Sequence, residues 1–156
     1  MSEIILKQSM IEDLTSISEE KQIISVYKLG DYGTEHSKKL LIETLSTLNS
    51  FVRDAVVDSL VRMGDVEFLC AEINHKHRYV RRGIVQALGR LGGSIACEQI
   101  IECLEDNEWG VRMYAAEAIG EVGTKEHINF LLQLNDDEHE WPREEARKSI
   151  KKLRKL

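Results

Sequence analysis

Histidine, cysteine and carboxylate side chains are the groups of this chain that could carry out chemistry, and their spacing narrows what that chemistry could be. His75 and His77 stand two residues apart and could offer a metal ion two imidazoles around a turn, although a solvated turn is the simpler reading. His139 is followed by Glu140, a lone His-Glu pair in the stretch before Trp141. His36 and His127 open helices and read as surface residues. The three cysteines, Cys70, Cys97 and Cys103, show no CxxC pattern, and their odd number suits neither a zinc site nor a disulfide framework. Cys97 and Cys103 lie roughly 240° apart around a helix, so they cannot bond to each other. All three read as small core residues, with a reactive thiol at Cys97 as the alternative. The glycines of 89–93 and 123–125 do not complete a phosphate loop. In a chain that is 31% charged, no pair of carboxylates stands out as general acid and base. These residue types therefore predict no catalytic site, no cofactor and no metal.

The elements that would position any site are more legible. Val52-Arg53, Val80-Arg81, Val111-Arg112 and Pro142-Arg143 repeat at spacings of 28, 31 and 31, with Glu19 as the anchor of a weaker first copy. Six residues after each anchor stands a small residue: Ser25, Ser59, Ala87, Ala118 or Ser149. Such a column is what two helices need to approach closely. Seven and ten residues after the anchor the side chains are apolar, which makes an i, i+1, i+4 core stripe. Gly30, Gly64, Gly92 and Gly123 follow, where a left-handed conformation can end a helix. Thr34, Asp65, Ser94 and Thr124 then offer N-caps for a second amphipathic run. Periods of this size mark helical solenoids.

First helices are expected at about 18–29, 50–63, 78–91, 109–122 and 142–155, and second helices at about 35–47, 66–75, 94–105 and 125–135. Residues 3–15 are expected to cap the N-terminal end, and 142–155 the C-terminal end, of a single domain spanning 1–156 with repeats over about 18–141. The expected fold is all-α, a right-handed α-solenoid. One proline and no low-complexity block argue against a second domain. No apolar run is long enough to span a bilayer, and the first residues lack the basic and apolar regions of a signal peptide, so a cytoplasmic location is expected.

The Val-Arg, Ala/Ser and Leu-Gly spacing resembles the short HEAT-like repeats described in phycobilin lyases, over about residues 18–155. The resemblance implies a stack of helix pairs. It does not choose a function, because similar repeats occur in bilin lyases, in an iron hydroxylase and in scaffolds. The hydroxylase would require His-Glu pairs just after the Val-Arg positions, whereas this chain has Asp54-Ala55, Arg82-Gly83, Met113-Tyr114 and Glu144-Glu145 there. The repeats it resembles also use the arginine as a strut. Asp106 and Asp137 stand six residues before Arg112 and Arg143, near enough for each arginine to bridge to an aspartate and to turn carbonyls. Arg53, Arg81, Arg112 and Arg143 with Asp106 and Asp137 are thus read as a structural ladder. Thr47 and His75 take the aspartate's place in earlier copies, leaving Arg53 and Arg81 less committed.

Charge carries the remaining functional signal. The polar stripe of the second helices holds Lys39, Glu43 and Ser46; then Glu67, Ala71 and Asn74; then Glu98, Glu102 and Glu105; then Asn129, Gln133 and Asp136. Most of the net charge of −6 could gather on that stripe. Glu43, Glu67, Glu98, Glu102, Glu105, Asn129, Gln133 and Asp136 are therefore the candidate partner-binding residues. The expected function is non-catalytic binding of a basic protein, as an adaptor or an immunity-type inhibitor of a toxin, by a chain that is monomeric by itself. Nucleic acid and anionic membrane would be repelled from such a face. The alternative, implied by the resemblance, is a phycobilin lyase subunit or a related chromophore-handling protein. Phe51, Tyr79, Trp109 and Trp141 recur just before the arginines and are either packed between repeats or exposed anchors. The cluster Lys148, Lys151, Lys152, Arg154 and Lys155 reads as a terminal cap whose cations suit a helix C-terminus.

Overall fold

Five fourteen-residue helices give the chain its period in the computed structural model, which describes residues 2–156 and side chains from Gln8 onward. After α1 (Ser2–Leu14) these are α2 (Glu19–Tyr32), α4 (Ser50–Met63), α6 (Arg78–Leu91), α8 (Trp109–Val122) and α10 (Glu140–Leu153). Shorter partners lie between them: α3 (Glu35–Thr44), α5 (Val66–Glu72), α7 (Ser94–Glu102) and α9 (Ile128–Leu132). Single 3-10 turns follow α7 and flank α9, because Cys103–Glu105, Lys125–His127 and Gln133–Asp136 tighten at the helix ends. The helix pairs fall into two compact units, 1–65 and 66–156.

The register of the first copy differs from the expected one. The four later long helices each begin three residues before their arginine, and α2 begins at Glu19, three residues before Gln22. Gln22, not Glu19, is therefore the anchor equivalent, and it lies 31 residues before Arg53. Its side chain does the arginine's work, donating to the Leu14 carbonyl at 3.0 Å. The helix accordingly ends at Gly33, with φ 60° in the left-handed region, rather than at Gly30. Gly64 behaves as expected at φ 67°, but Gly123 has φ −80° and ends α8 in an extended conformation.

Gly30 serves close packing instead. A Cβ built on it would lie 3.0 Å from Ser59 Cβ, where α2 meets α4. The same seam recurs in the second unit, where Gly89 faces Ala118 across α6 and α8, and Gly120 faces Ser149 across α8 and α10. In each case a residue eight after one anchor meets the small residue six after the next. The small column thus lets long helices pack on long helices, and the apolar stripe closes the core around it. Val26, Leu41, Val56 and Leu60 are buried in the first unit, and Ile84, Leu88, Ile100, Ile119, Leu131 and Leu153 in the second. Each such aliphatic side chain contributes about 1.5–3 kcal/mol when removed from water.

Candidate functional site

The arginines are held by the turns that precede and follow them. Arg81 and Arg112 each send Nη1 back to the carbonyl six residues earlier, of His75 at 2.9 Å and of Asp106 at 2.8 Å. Arg53 contacts the Thr47 carbonyl in the same way at 2.7 Å, and Arg143 that of Asp137. The carboxylate partner comes from the following repeat. Arg81 grips Asp106 through Nε and Nη2 at 2.7 and 2.8 Å, and Arg112 grips Asp137 at 2.6 and 2.8 Å. The expected pairing within one turn is thus displaced by a repeat: Asp106 gives its carbonyl to Arg112 and its carboxylate to Arg81. Each aspartate also accepts a backbone N–H two residues on, from Glu108 and His139, which fixes its turn.

These aspartate contacts tie each arginine to the turns on either side of it. Arg81, expected to be less committed, is fully engaged and also donates to the Asn107 side-chain carbonyl at 2.9 Å. Among the described residues, Arg143 keeps only its carbonyl contact. Burial opposes the Asp137 charge, but hydrogen bonds from Arg112 and the His139 amide outweigh it and hold the carboxyl below its usual value.

The histidines and cysteines do not converge on a metal. Among the described residues, no three His, Cys, Asp or Glu side chains are grouped to hold one. His75 Nδ1 accepts the His77 backbone N–H at 3.1 Å, so this pair shapes its own turn. Cys97 and Cys103 are buried; burial raises both thiols, that of Cys103 to about 12. His127 Nδ1 accepts the Thr124 N–H at 2.9 Å, which turns Nε2 toward Cys97 Sγ at 3.5 Å. A carboxyl that the sequence reading passed over, Glu117, is pushed up by burial and by Glu145 and Glu121 nearby.

The partner-binding candidates are all on the surface. Glu43 is exposed on α3 of the first unit. In the second unit Glu67 of α5, Glu98 and Glu102 of α7, Glu105 of the turn after it, Asn129 of α9, and Gln133 and Asp136 of the next turn are exposed too. They occupy equivalent positions in successive helix pairs. The aromatic residues divide: Trp109 packs against the His139 ring at 5.6 Å, whereas Phe51 and Trp141 stand 65% and 60% exposed. Tyr79 is flanked by the guanidinium groups of Arg78 and Arg82.

A family model described as HEAT repeats matches residues 66–151. The chain belongs to the HEAT repeat family. Its fold class is accordingly an all-helical solenoid of helix pairs. Among solved structures, a chain in the complex of CpcE and CpcF of phycocyanin lyase from Nostoc sp. PCC7120 has a TM-score of 0.60 at 18% identity. The alignment covers 94% of this chain and 64% of that one, so this chain spans just under two thirds of the length of the lyase chain. Two engineered proteins are also similar: one has a TM-score of 0.53 at 18% identity, with 93% of this chain and 47% of that one covered. The other has a TM-score of 0.51 at 17% identity, with 93% and 78% covered. No curated protein sequence matches the chain. At such identities the likeness concerns the fold, and a HEAT repeat fold suggests a protein-interaction module. No described helix is long and apolar enough to cross a membrane.

Proposed function

We propose that this HEAT repeat protein is a non-catalytic binding module that holds a basic protein on the exposed acids of its second helices. The observation that carries this reading is the triad Glu98, Glu102 and Glu105. All three are exposed, and none has an ion-pair or side-chain hydrogen-bond partner among the described residues. Glu98 and Glu102, unpaired like charges at i and i+4, disfavour their own helix by a few tenths of a kcal/mol, and Glu105 adds a third in the turn that follows. Their field therefore remains available to steer and hold a cationic surface. An adaptor or an immunity-type inhibitor covering a basic toxin domain would use such a face, in a cytoplasmic setting and without nucleic acid or membrane as partner. Glu67, Asn129, Gln133 and Asp136 extend the face in the neighbouring repeats, and Glu43 carries the equivalent charge in the first unit. We also propose that the chain is monomeric when free.

The similarity to a chain of phycocyanin lyase supports a second reading, a chromophore-handling subunit, on fold alone. A tetrapyrrole would call for an apolar cleft, and the open groove beside α10 sets four cations around its two apolar residues. The binding reading is preferred for that reason. The test compares wild-type protein with the E98K/E102K/E105K variant as baits in extract of the native host. A basic protein retained by the wild type and lost by the equally folded variant supports the reading. Equal retention of the same partner by both, or co-purification of pigment in its place, overturns it.

A further inference from the structure

Beyond Arg143, the cations of α10 and of the turn that follows it divide into two sets. Lys148 is paired with Glu145 at 3.0 Å, and Lys152 with Glu121 at 2.5 Å. Arg147, Lys151, Arg154 and Lys155 recur at i, i+4, i+7 and i+8, on one side of α10 and of the turn that follows it. None of these four has an ion pair or a side-chain hydrogen bond among the described residues. They line an open groove of about 530 Å³ where α10 packs beside α9. Its apolar residues are the exposed Leu132 and the buried Ile150, and Asn135 adds an amide. Leu132 is 41% exposed in this groove although it belongs to a helix whose next-door Leu131 is fully buried.

A helix C-terminus accommodates cations, which accounts for basic residues in this region but not for their arrangement around an apolar patch. In a chain of net charge −6, acids are plentiful, yet none lines this groove. We infer that the groove between α9 and α10 docks an acidic peptide segment of a partner protein. One apolar side chain of that segment covers Leu132, and its flanking carboxylates engage Arg147, Lys151, Arg154 and Lys155. Arginine can take a carboxylate through two parallel N–H donors, and the lysines add point charges. A peptide fits better than a nucleic acid. No aromatic side chain lines the groove to stack a base, and four cations fall short of the phosphate contacts a strand would need for firm binding. The groove shares no lining residue with the acidic second-helix face, so substitutions at one leave the residues of the other unchanged.

The experiment is a fluorescence-anisotropy titration of the full chain with a labelled peptide in which glutamates flank a single leucine. Saturable binding is expected, weakened at least about tenfold in K151E/R154E and falling as salt is raised. Replacing the probe's leucine by serine should also weaken it. K21E/K28E makes the same charge change on α2 and should leave the affinity unchanged, while circular dichroism checks that both variants fold. The milder R154Q/K155Q pair should give an intermediate loss. The inference is overturned if the acidic peptide does not bind saturably, or if K151E/R154E binds as well as the wild type. It is equally overturned if K21E/K28E loses as much affinity, or if a labelled single-stranded oligonucleotide binds more tightly than the peptide.

Discussion

Arg112 and Asp137 form a two-pronged ion pair across consecutive repeats, with Nε and Nη2 on the two carboxylate oxygens and only 9% and 4% of their side chains exposed. The same arginine reaches back to the Asp106 carbonyl, so one guanidinium joins two turns.

Removing one member of this pair leaves the other charge buried. Arg112→Ala or Asp137→Ala should each destabilise the protein by about 3–5 kcal/mol, measured by urea unfolding. The double change R112M/D137L should cost less than either, because no orphaned charge remains. Costs that simply add would show that the two side chains act independently.

Two carboxyls should respond to pH with opposite sign. Asp137 is held below its usual value, so its contribution is present above about pH 4 and is lost as acid protonates it through its lower folded value. Glu117 is raised by burial and by Glu145 and Glu121, so its charge opposes folding at neutral pH. Glu117→Gln should therefore raise the melting temperature at pH 7, and the gain should vanish below about pH 4. Thermal scans of both variants across that range check the two signs. A gain for E117Q that persists in acid would point to packing instead.

The seams between long helices should rank by the room left for a methyl group. A Cβ at Gly120 would stand 2.7 Å from Ser149 Cβ and 3.1 Å from its Cα, whereas one at Gly30 meets Ser59 Cβ at 3.0 Å beside a movable arginine end. Gly120→Ala should cost about 1–3 kcal/mol and Gly30→Ala less. Ala118→Leu, on the other side of the Gly89 contact, should fall in the same range as Gly120→Ala. Denaturation midpoints check the order, and a fully stable A118L would contradict the seam.

Much of this was legible in the residues. The period near 31, the small column, the apolar stripe and the helix-ending glycines follow from local spacing, because a helix repeats its faces every few residues whatever lies beside it. The first copy offers two registers, because Ser25, Val26, Leu29 and Gly30 also fit the column spacing from Glu19; the 31-residue period selects Gln22 and Gly33. The exposure of Glu98, Glu102 and Glu105 was equally readable, since their helix turns its apolar side inward.

Tertiary structure decided which groups share a bond. Asp106 and Asp137 stand six residues before one arginine and 25 after another, and only the stacking of helix pairs assigns the carboxylate to the distant arginine and the carbonyl to the near one. It likewise separated the paired Lys148 and Lys152 from the unpaired cations that line the groove, a distinction invisible in a run of basic residues. Spacing along the chain sets which face a side chain occupies. The partner it meets is set by the neighbouring repeat, whose placement depends on how closely Gly89 and Gly120 let the helices approach.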